Sequence, residues 1–382
     1  MRLELKVVKT AFGGDGIASV SGKTCFVEGA LPGETVLAEV FQEKKNYLKA
    51  RTVQVLVASP ERREPPCRYY ASCGGCQYQH FSYEEELRQK ENQVIEALGK
   101  VSPMVRSPKD YGYRNSVTLH PSLQDEKNPQ RLAFVGRDNV SKVVVNECLL
   151  ADERLQGVFP LKWRVPRGTE GLRFKLSEKG DVVPDIDARF YRAALSGQSF
   201  LAHSRGFFQN NLAVTELLAA RLSEWIQARP PEVFFDLFAG VGTFSFLCAG
   251  TAPKVVCVEE SKESVEALRM NREEKKRLGL EIVEGRVENV FPALFEKEKK
   301  ERNLVLLDPP RQGLSPHLAH FLGDRKDIQT LIYVSCDVPT LARDLKILTS
   351  QGRFRVEEAV PFDMFPRTKH IETAVLLTSI QG

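Results

Sequence analysis

The chain has 382 residues, of which 27% are charged, and its formal net charge at pH 7 is +4. This length allows two or three domains with separate cores, and the weak positive charge permits nucleic-acid binding without arguing for it. No apolar run reaches the ~18 residues that a membrane span needs, and the first residues alternate charged with apolar types, unlike a signal peptide. We therefore expect a cytoplasmic protein, in which eight cysteines favour metal binding or catalysis over disulfides.

Residues 1–57 contain short runs of alternating or β-branched residues that are separated by glycine-bearing turns. Several short strands at this spacing predict a small β-barrel of the OB kind. One predicted hairpin carries a basic and polar cluster, namely Lys44, Lys45, Asn46, Tyr47 and Lys49. The cluster would suit a phosphate backbone, although a solvated turn explains the same residues.

The next segment, up to about residue 186, contains a group of four cysteines, Cys67, Cys73, Cys76 and Cys148. Four thiolates suit zinc or an iron–sulfur cluster equally well, so the residues alone leave both open. The pattern at 82–98 predicts a helix with Ser82 and Glu85 as a capping box and an apolar face of Leu87, Val94, Ile95 and Leu98. Strand patterns with interleaved basic and aromatic residues follow, which indicates a β domain with a basic side.

From residue 187 onward, predicted strands and helices alternate. Apolar strands are predicted at 233–237, 255–258, 304–307 and 331–334, helices at 212–226, 262–278 and 340–348, and a turn with a helix at 240–249. Such alternation is typical of a doubly wound α/β domain with a mainly parallel sheet. Cys25, Cys248 and Cys257 lie in apolar contexts and are expected to be buried small hydrophobes.

A candidate cofactor loop follows the strand at 233–237. Gly240 and Gly242 allow close approach of the backbone to a ligand, and Glu259 ends the next strand, where a carboxylate can accept from ribose hydroxyls. The third glycine of a dinucleotide fingerprint is missing, so one nucleoside fits better, with S-adenosylmethionine as the candidate. Asp308 precedes two prolines after a later strand and would form a wall of the same crevice, although Asp308 and Glu259 could also be ordinary turn residues.

Cys336 directly follows the apolar strand at 331–334, so its thiol should emerge at the same crevice. A lone cysteine is most often structural, but this position favours a nucleophile, with Glu372 as a candidate base. The C5 carbon of a pyrimidine is too weak a nucleophile to attack a sulfonium directly. Addition of a thiolate at C6 activates C5, and a base must later remove the C5 proton.

A series of motifs in the chain resembles that of the RNA uracil-5 methyltransferases. The motifs are Phe207-Phe208-Gln209-Asn210-Asn211, Asp236-Leu237-Phe238-Ala239-Gly240-Val241-Gly242, Asp308-Pro309-Pro310-Arg311-Gln312-Gly313, Ser335-Cys336 with Thr340-Leu341-Ala342-Arg343-Asp344, and His370-Ile371-Glu372. Residues 1–57 are similar to the TRAM domain of many members, and the four grouped cysteines resemble the ligands of their [4Fe-4S] cluster. The resemblance covers essentially the whole chain.

The resemblance implies three domains: a TRAM domain at 1–57, a central iron–sulfur domain at 58–186 and a Rossmann-like methyltransferase domain at 187–382. It implies that Cys336 is the nucleophile, that Glu372 is the base and that Asp363 supports a flipped uracil. The implied contacts to S-adenosylmethionine are Gln209, Phe238, Thr243, Glu259 and Asp308. The implied substrate is 23S rRNA, with tRNA as the alternative, and the expected protein is a monomer that has a structural [4Fe-4S] cluster and needs no obligate protein partner.

Two positions depart from the family pattern. Asp337-Val338-Pro339 follows Cys336 where members usually have Asn-Pro, and an ionised Asp337 near the thiol would disfavour the thiolate. Arg286 stands where members often place a small polar residue near the adenine.

Three other functions are alternatives, and each makes a different demand on these residues. Methylation of an amino group would normally need an aromatic residue where Arg311 follows the two prolines. RNA cytosine-5 methylation would need a second cysteine in a Pro-Cys pair. A non-catalytic RNA-binding protein would not need an intact Cys336, Glu372 and Gln209.

Overall fold

The computed structural model describes residues 1–122, 129–166 and 168–380. Its first six strands are β1 (Arg2–Lys6), β2 (Lys9–Thr10), β3 (Gly16–Val20), β4 (Lys23–Glu28), β5 (Thr35–Glu43) and β6 (Tyr47–Val57). They form one sheet in the order β1-β5-β6-β4-β3-β2, in which only the β4–β6 pair is parallel. Alternate side chains such as Cys25, Val27 and Val36 are fully buried inside it. The expected OB-like barrel is therefore present as a half-barrel.

The middle of the chain begins with helix α1 (Tyr83–Leu98) and continues in short strands. These are β7 (Ser116–Pro121), β8 (Gln130–Val135), β9 (Lys142–Val144), β10 (Lys162–Trp163), β11 (Leu172–Leu176) and β12 (Val182–Pro184), with a 3-10 helix at Glu153–Val158. The sheet order is β10-β8-β7-β11-β12, and β9 pairs with β8. Phe174 and Leu155 are fully buried in its core.

The face that α1 buries differs from the predicted one. The Ser82 side chain accepts from the Glu85 N–H at 3.2 Å, which confirms the predicted N-cap. The residues that α1 buries include Glu86 and Lys90, however, whereas Ile95 is 41% exposed. The predicted apolar face is therefore confirmed at Val94, which is fully buried, and wrong at Ile95, and α1 also packs through buried charged residues.

The last part of the chain starts with the hairpin β13 (Phe190–Leu195) and β14 (Gln198–His203). The helices that follow are α2 (Leu212–Ala228), α3 (Thr243–Cys248), α4 (Lys262–Glu274), α5 (Val287–Glu298), α6 (Pro316–Gly323) and α7 (Val338–Thr349). The strands are β15 (Val233–Leu237), β16 (Lys254–Glu259), β17 (Leu280–Glu284), β18 (Asn303–Leu307), β19 (Thr330–Ser335), β20 (Phe354–Phe362) and β21 (Glu372–Ser379).

These seven strands form one sheet in the order β17-β16-β15-β18-β19-β21-β20. The pairs from β17 to β19 are parallel, and β21 runs antiparallel to both of its neighbours. Successive residues of a strand face opposite sides, so Phe234 and Phe235 enter two separate cores. The predicted doubly wound α/β domain is therefore present, and Cys25, Cys248 and Cys257 are buried as expected. No helix in the described ranges has the length and apolar character that crossing a membrane requires.

Candidate active site

The carboxyl edge of the parallel strands gathers the predicted catalytic residues. Asp308 follows β18, and Cys336 follows β19. Because β21 is antiparallel to β19, it begins at this same edge, and Ser335 pairs with Thr373. Cys336 directly follows Ser335, and Glu372 directly precedes Thr373. The antiparallel register therefore places Cys336 and Glu372 side by side.

Burial and negative charge surround the thiol. Cys336 is partly buried. Burial, together with the carboxyls of Glu372 and Asp308 and against the charge of Arg311, raises its pKa to about 12. Glu372 is 8% exposed, and burial followed by the charge of Asp308 raises its pKa well above the ordinary value. In the free protein the thiol is therefore protonated at neutral pH and needs activation.

Asp337 does not turn its carboxylate toward the thiol. Its Oδ1 accepts from the Thr340 N–H at 3.0 Å and thereby caps the N-terminus of α7. A helix N-terminus stabilises a carboxylate. The departure from the usual Asn-Pro is therefore accommodated by a capping role.

The candidate cofactor groove lies at the ends of β15 and β16. One oxygen of Glu259 accepts from the Gly240 N–H at 2.8 Å, and the other accepts from the Ser261 N–H at 2.8 Å. Gly240 has a φ of 56°, and a side chain built on it would meet only open space, so the groove is free beside this glycine. Of the other predicted contacts, Phe238 has a φ of 66° in the turn after β15, and Thr243 begins α3.

Three carboxyls crowd this groove. Burial, together with the charges of Asp236 and Glu259, raises the pKa of Asp308 to about 7. The Asp236 carboxylate accepts from the Ser245 hydroxyl at 2.6 Å and is itself buried. Such a group of carboxyls attracts a cation, and the donor set therefore fits a ligand with a sulfonium. Gln209 lies on the loop before α2, where its backbone carbonyl accepts from the Asn115 side chain at 2.8 Å.

Asp363 is not on an exposed surface. Its side chain is fully buried; Oδ1 accepts from Lys90 Nζ at 2.6 Å, and Oδ2 accepts from the Tyr83 hydroxyl at 2.7 Å. Both oxygens therefore bind groups of α1, and these contacts do not favour the predicted contact with a flipped uracil.

Two residues that the sequence analysis did not assign to the site lie beside it. Arg311 Nη2 is 3.3 Å from His370 Nε2, and the two residues flank the Asp308 and Glu372 segments. Burial and the charge of Arg311 lower the pKa of His370 to about 3, so its ring is neutral. The signal in the sequence was their place inside two of the quoted motifs, at 308–313 and at 370–372.

The four grouped cysteines line one cavity of about 40 Å³. The other lining residues are mostly apolar or aromatic, including Tyr69, Phe134 and Leu150. Burial raises the pKa of Cys73, Cys76 and Cys148, and neighbouring thiols of the group add to the rise. In the described part of the chain, no three His, Cys, Asp or Glu side chains are spaced to hold a single metal ion.

Arg114 also lines the cysteine cavity. Among the described residues its guanidinium makes one long hydrogen bond, 3.4 Å from Nε to the Tyr113 hydroxyl, and no ion pair. Burial opposes its charge, while Tyr113 and the thiols of Cys148 and Cys76 favour it. A partly buried cation that lines the same cavity as four thiols suits a site in which the sulfurs carry negative charge.

Basic groups from three parts of the chain meet near Asp15. Burial and Glu28 raise the pKa of Asp15, whereas Lys49 of β6, Lys369 and Arg137 lower it. The predicted hairpin also exists, since Lys44 and Lys45 are exposed between β5 and β6. Positive charge therefore extends from the half-barrel toward the loop before Glu372.

Comparisons with known proteins agree with this architecture. A family model described as tRNA (Uracil-5-)-methyltransferase matches residues 196–380, and a TRAM domain model matches residues 2–53. An uncharacterized RNA methyltransferase of Bdellovibrio bacteriovorus is 31% identical, over 97% of this chain and 94% of its own. This chain belongs to the RNA uracil-5 methyltransferase family. It is a methyltransferase that uses S-adenosylmethionine to modify uracil in RNA, and the amino-methylation and non-catalytic alternatives are set aside.

Two further comparisons cover nearly the whole chain. A 23S rRNA (uracil(1939)-C(5))-methyltransferase of a Marinomonas species is 29% identical over 95% of this chain and 91% of its own. The crystal structure of Pyrococcus abyssi tRNA (uracil-54, C5)-methyltransferase in complex with S-adenosyl-L-homocysteine covers 99% of this chain, with a TM-score of 0.70 and 23% identity. It shares the fold of half-barrel, β-rich middle and Rossmann-like domain.

The raised pKa of Cys336 predicts how fast the free thiol reacts. The alkylation rate should still be rising at about pH 10, where a free thiol of pKa about 8.5 has nearly levelled off. Asp308→Asn removes a neighbouring charge, so it should lower the thiol pKa and raise the rate at a fixed mildly alkaline pH. The measurement is iodoacetamide labelling across pH, with the rate of Cys336→Ala subtracted. A plateau near pH 9 would contradict the electrostatic description.

Proposed function

We propose that this enzyme forms 5-methyluridine in 23S rRNA through a covalent bond between Cys336 and C6 of the target uracil. The observation that carries the proposal is the register of β19 and β21, which sets Cys336 beside Glu372 through the Ser335–Thr373 pair. A nucleophile and a base that share one sheet edge can act on neighbouring atoms of one ring.

Each side chain has one task in the proposed reaction. The Cys336 thiolate adds to C6, and the electron pair of the C5–C6 bond becomes available at C5, which takes up the methyl group. Glu372 then removes the C5 proton, the C5–C6 double bond re-forms, and the thiolate leaves. Arg311 favours the thiolate, since its charge lowers the pKa of Cys336 against the neighbouring carboxyls.

The groove beside Gly240 is the proposed cofactor site. S-adenosylmethionine, when bound, supplies an electrophilic methyl group on a positively charged sulfur. Glu259 would hold the ribose, Phe238 and Thr243 would contact the nucleoside, and Asp308 and Gln209 would line the reacting end. A cation beside Asp308 would offset the negative charge of the carboxyls and so lower the pKa of the thiol.

A partly buried nucleophile cannot reach a base inside a duplex. The target uridine must therefore lie in a single strand or be flipped out of its stack. The basic groups around Asp15, from the half-barrel, the middle domain and the loop before Glu372, would bind the flanking phosphates.

The proposed choice of 23S rRNA has two supports. The chain combines a TRAM domain with four grouped cysteines, an architecture that favours rRNA, and a relative that is 29% identical is a 23S rRNA enzyme. For the rest of the protein we propose the domain limits 1–57, 58–186 and 187–382, a monomeric state and a cytoplasmic location.

For the cysteine cavity we propose a [4Fe-4S] cluster held by Cys67, Cys73, Cys76 and Cys148. Its supports are the shared cavity, the four thiols and the charge of Arg114, which forms no ion pair with any residue that the structure describes. The cluster would join Cys148 to the distant cysteine loop and so hold the middle domain together.

Incubation with 5-fluorouridine-substituted RNA tests the reaction and the substrate together. Fluorine at C5 cannot leave as a proton, so the enzyme should stay bonded to the RNA through Cys336 after methyl transfer. We expect an adduct that survives denaturation on a gel, formed with 23S rRNA and lost in Cys336→Ala.

Cys25→Ala is the matched control, because Cys25 is a buried cysteine of the half-barrel, away from the site, and its adduct should match that of the wild type. An adduct formed only with tRNA would support the covalent mechanism and contradict the proposed 23S rRNA substrate. No adduct with either RNA would contradict the covalent mechanism.

The metal proposal predicts the composition of anaerobically purified protein. We expect about four iron and four acid-labile sulfide per chain, with broad visible absorption. Cys76→Ser should lose most of the iron and lower the thermal stability of the middle domain, whereas Cys248→Ser should keep both metal and colour. Zinc in place of iron and sulfide would contradict the proposed [4Fe-4S] cluster but would agree with the four proposed cysteine ligands.

A further inference from the structure

The loop that leads to the candidate base is held largely by contacts from the middle domain. We define the base loop as residues 363–370, which connect β20 to Ile371 and Glu372. Its sequence, Asp-Met-Phe-Pro-Arg-Thr-Lys-His, includes Arg367 at a φ of 65°, a backbone conformation that L-residues rarely adopt. A loop with such a residue keeps its shape only where its surroundings fix it.

Hydrogen bonds from outside the methyltransferase sheet fix its backbone. The carbonyl of Arg367 accepts from the Gln77 and Tyr78 N–H groups at 3.0 and 3.1 Å, and the carbonyl of Pro366 accepts from the Tyr113 hydroxyl at 2.9 Å. The Lys369 N–H donates to Gln77 Oε1 at 3.1 Å. The loop is therefore held against the segment that follows Cys76.

A buried set of charges holds the same loop from α1. Lys90 and Glu86 lie one helical turn apart and are fully buried. Lys90 Nζ donates to Glu86 at 2.7 Å, to Asp363 at 2.6 Å and to the Phe365 carbonyl at 3.2 Å. Glu86 in turn accepts from the Arg367 N–H at 2.7 Å. Two residues of α1 thus bind three successive parts of the base loop.

The set is balanced in charge. Glu86 and Asp363 are its acids, Lys90 and Arg367 are its bases, and the Arg367 guanidinium also donates to Asp110 at 2.5 Å. Burial alone would lower the pKa of Lys90, but Asp363 and Glu86 outweigh it and keep the lysine charged. Buried ion pairs add little net stability compared with apolar packing, so their usual benefit is a defined geometry.

The same helix contacts the nucleophile's side of the site. Val94 of α1 packs against Val338, two residues after Cys336, and against Ile371, which precedes Glu372. One helix therefore touches both catalytic segments.

We propose that Lys90 and Glu86 are positioning residues that aim Glu372 at the C5 proton. This inference rests on the proposed function of Glu372. Loss of the lysine charge releases the base loop, so the step that needs Glu372 slows, while addition of Cys336 and methyl transfer continue. The intermediate that then accumulates has a Cys336–C6 bond and both a methyl group and a hydrogen at C5.

The test uses full-length Lys90→Met with S-adenosylmethionine carrying a labelled methyl group and RNA that contains ordinary uridine. We expect turnover to fall about tenfold to a hundredfold, since general-base catalysis is worth roughly 10²–10⁴-fold. Labelled protein–RNA adduct that survives denaturation should accumulate, because its breakdown needs the base. Slower turnover without adduct, or unchanged turnover, would overturn the proposal.

Lys254→Met is the matched control. Lys254 also pairs with two carboxylates, Glu281 and Glu298, but it begins β16 at the opposite end of the sheet from Cys336. It should turn over normally and leave no adduct, and an adduct from this variant too would overturn the specific role of Lys90.

A milder variant decides the matter if Lys90→Met does not fold. Tyr83→Phe removes only the hydroxyl that binds Asp363 at 2.7 Å, and it should give the same adduct with a smaller loss of turnover. The trap with 5-fluorouridine in the wild-type enzyme separates the two proposals. If the wild-type enzyme forms no such adduct, the proposed function is wrong. If it does, but Lys90→Met and Tyr83→Phe turn over normally without an adduct, only the positioning role is wrong.

Discussion

The antiparallel pairing of β21 with β19 is the constraint on which the site depends. In a parallel sheet every strand presents its carboxyl end at one edge, so Asp308 and Cys336 meet there by topology alone. Glu372 begins its strand, and only an antiparallel strand can bring its first residue to that edge. A slip of one residue in the Ser335–Thr373 register would turn Glu372 to the other face.

The electrostatics of the edge follow from that convergence. Asp308 and Glu372 lie near the Cys336 thiol, Asp236 and Glu259 lie near Asp308, and burial raises the pKa of both Cys336 and Glu372. Such a site is unreactive by itself, because the thiol holds its proton. Arg311 supplies some opposite charge, and a cationic cofactor bound beside Asp308, as we propose, would supply more.

Local patterns predicted much of this architecture, but they failed where distant partners decide. The strands at 233–237 and 331–334, the N-cap at Ser82 and the edge position of Cys336 could all be read from neighbouring residues. The charged part of the buried face of α1 could not be predicted in this way, because Lys90 is stabilised by Asp363, 273 positions away in sequence. A charged residue in a helix is expected to face solvent, and nothing local signals that a carboxylate will meet it in the interior. The expected contact of Asp363 with the substrate came from the family resemblance, whereas both of its oxygens bind groups of α1.

The most direct test of the covalent mechanism counts two atoms in one reaction. RNA carrying tritium at uracil C5 is incubated with enzyme and S-adenosylmethionine labelled in its methyl group, and released tritium is compared with transferred methyl. For the wild type we expect equal amounts of released tritium and transferred methyl, and for Cys336→Ala we expect neither product. For Glu372→Gln we expect methyl in a protein-bound adduct without release of tritium. Methyl transfer by the wild type with the C5 tritium retained, or an active Cys336→Ala, would contradict the covalent mechanism.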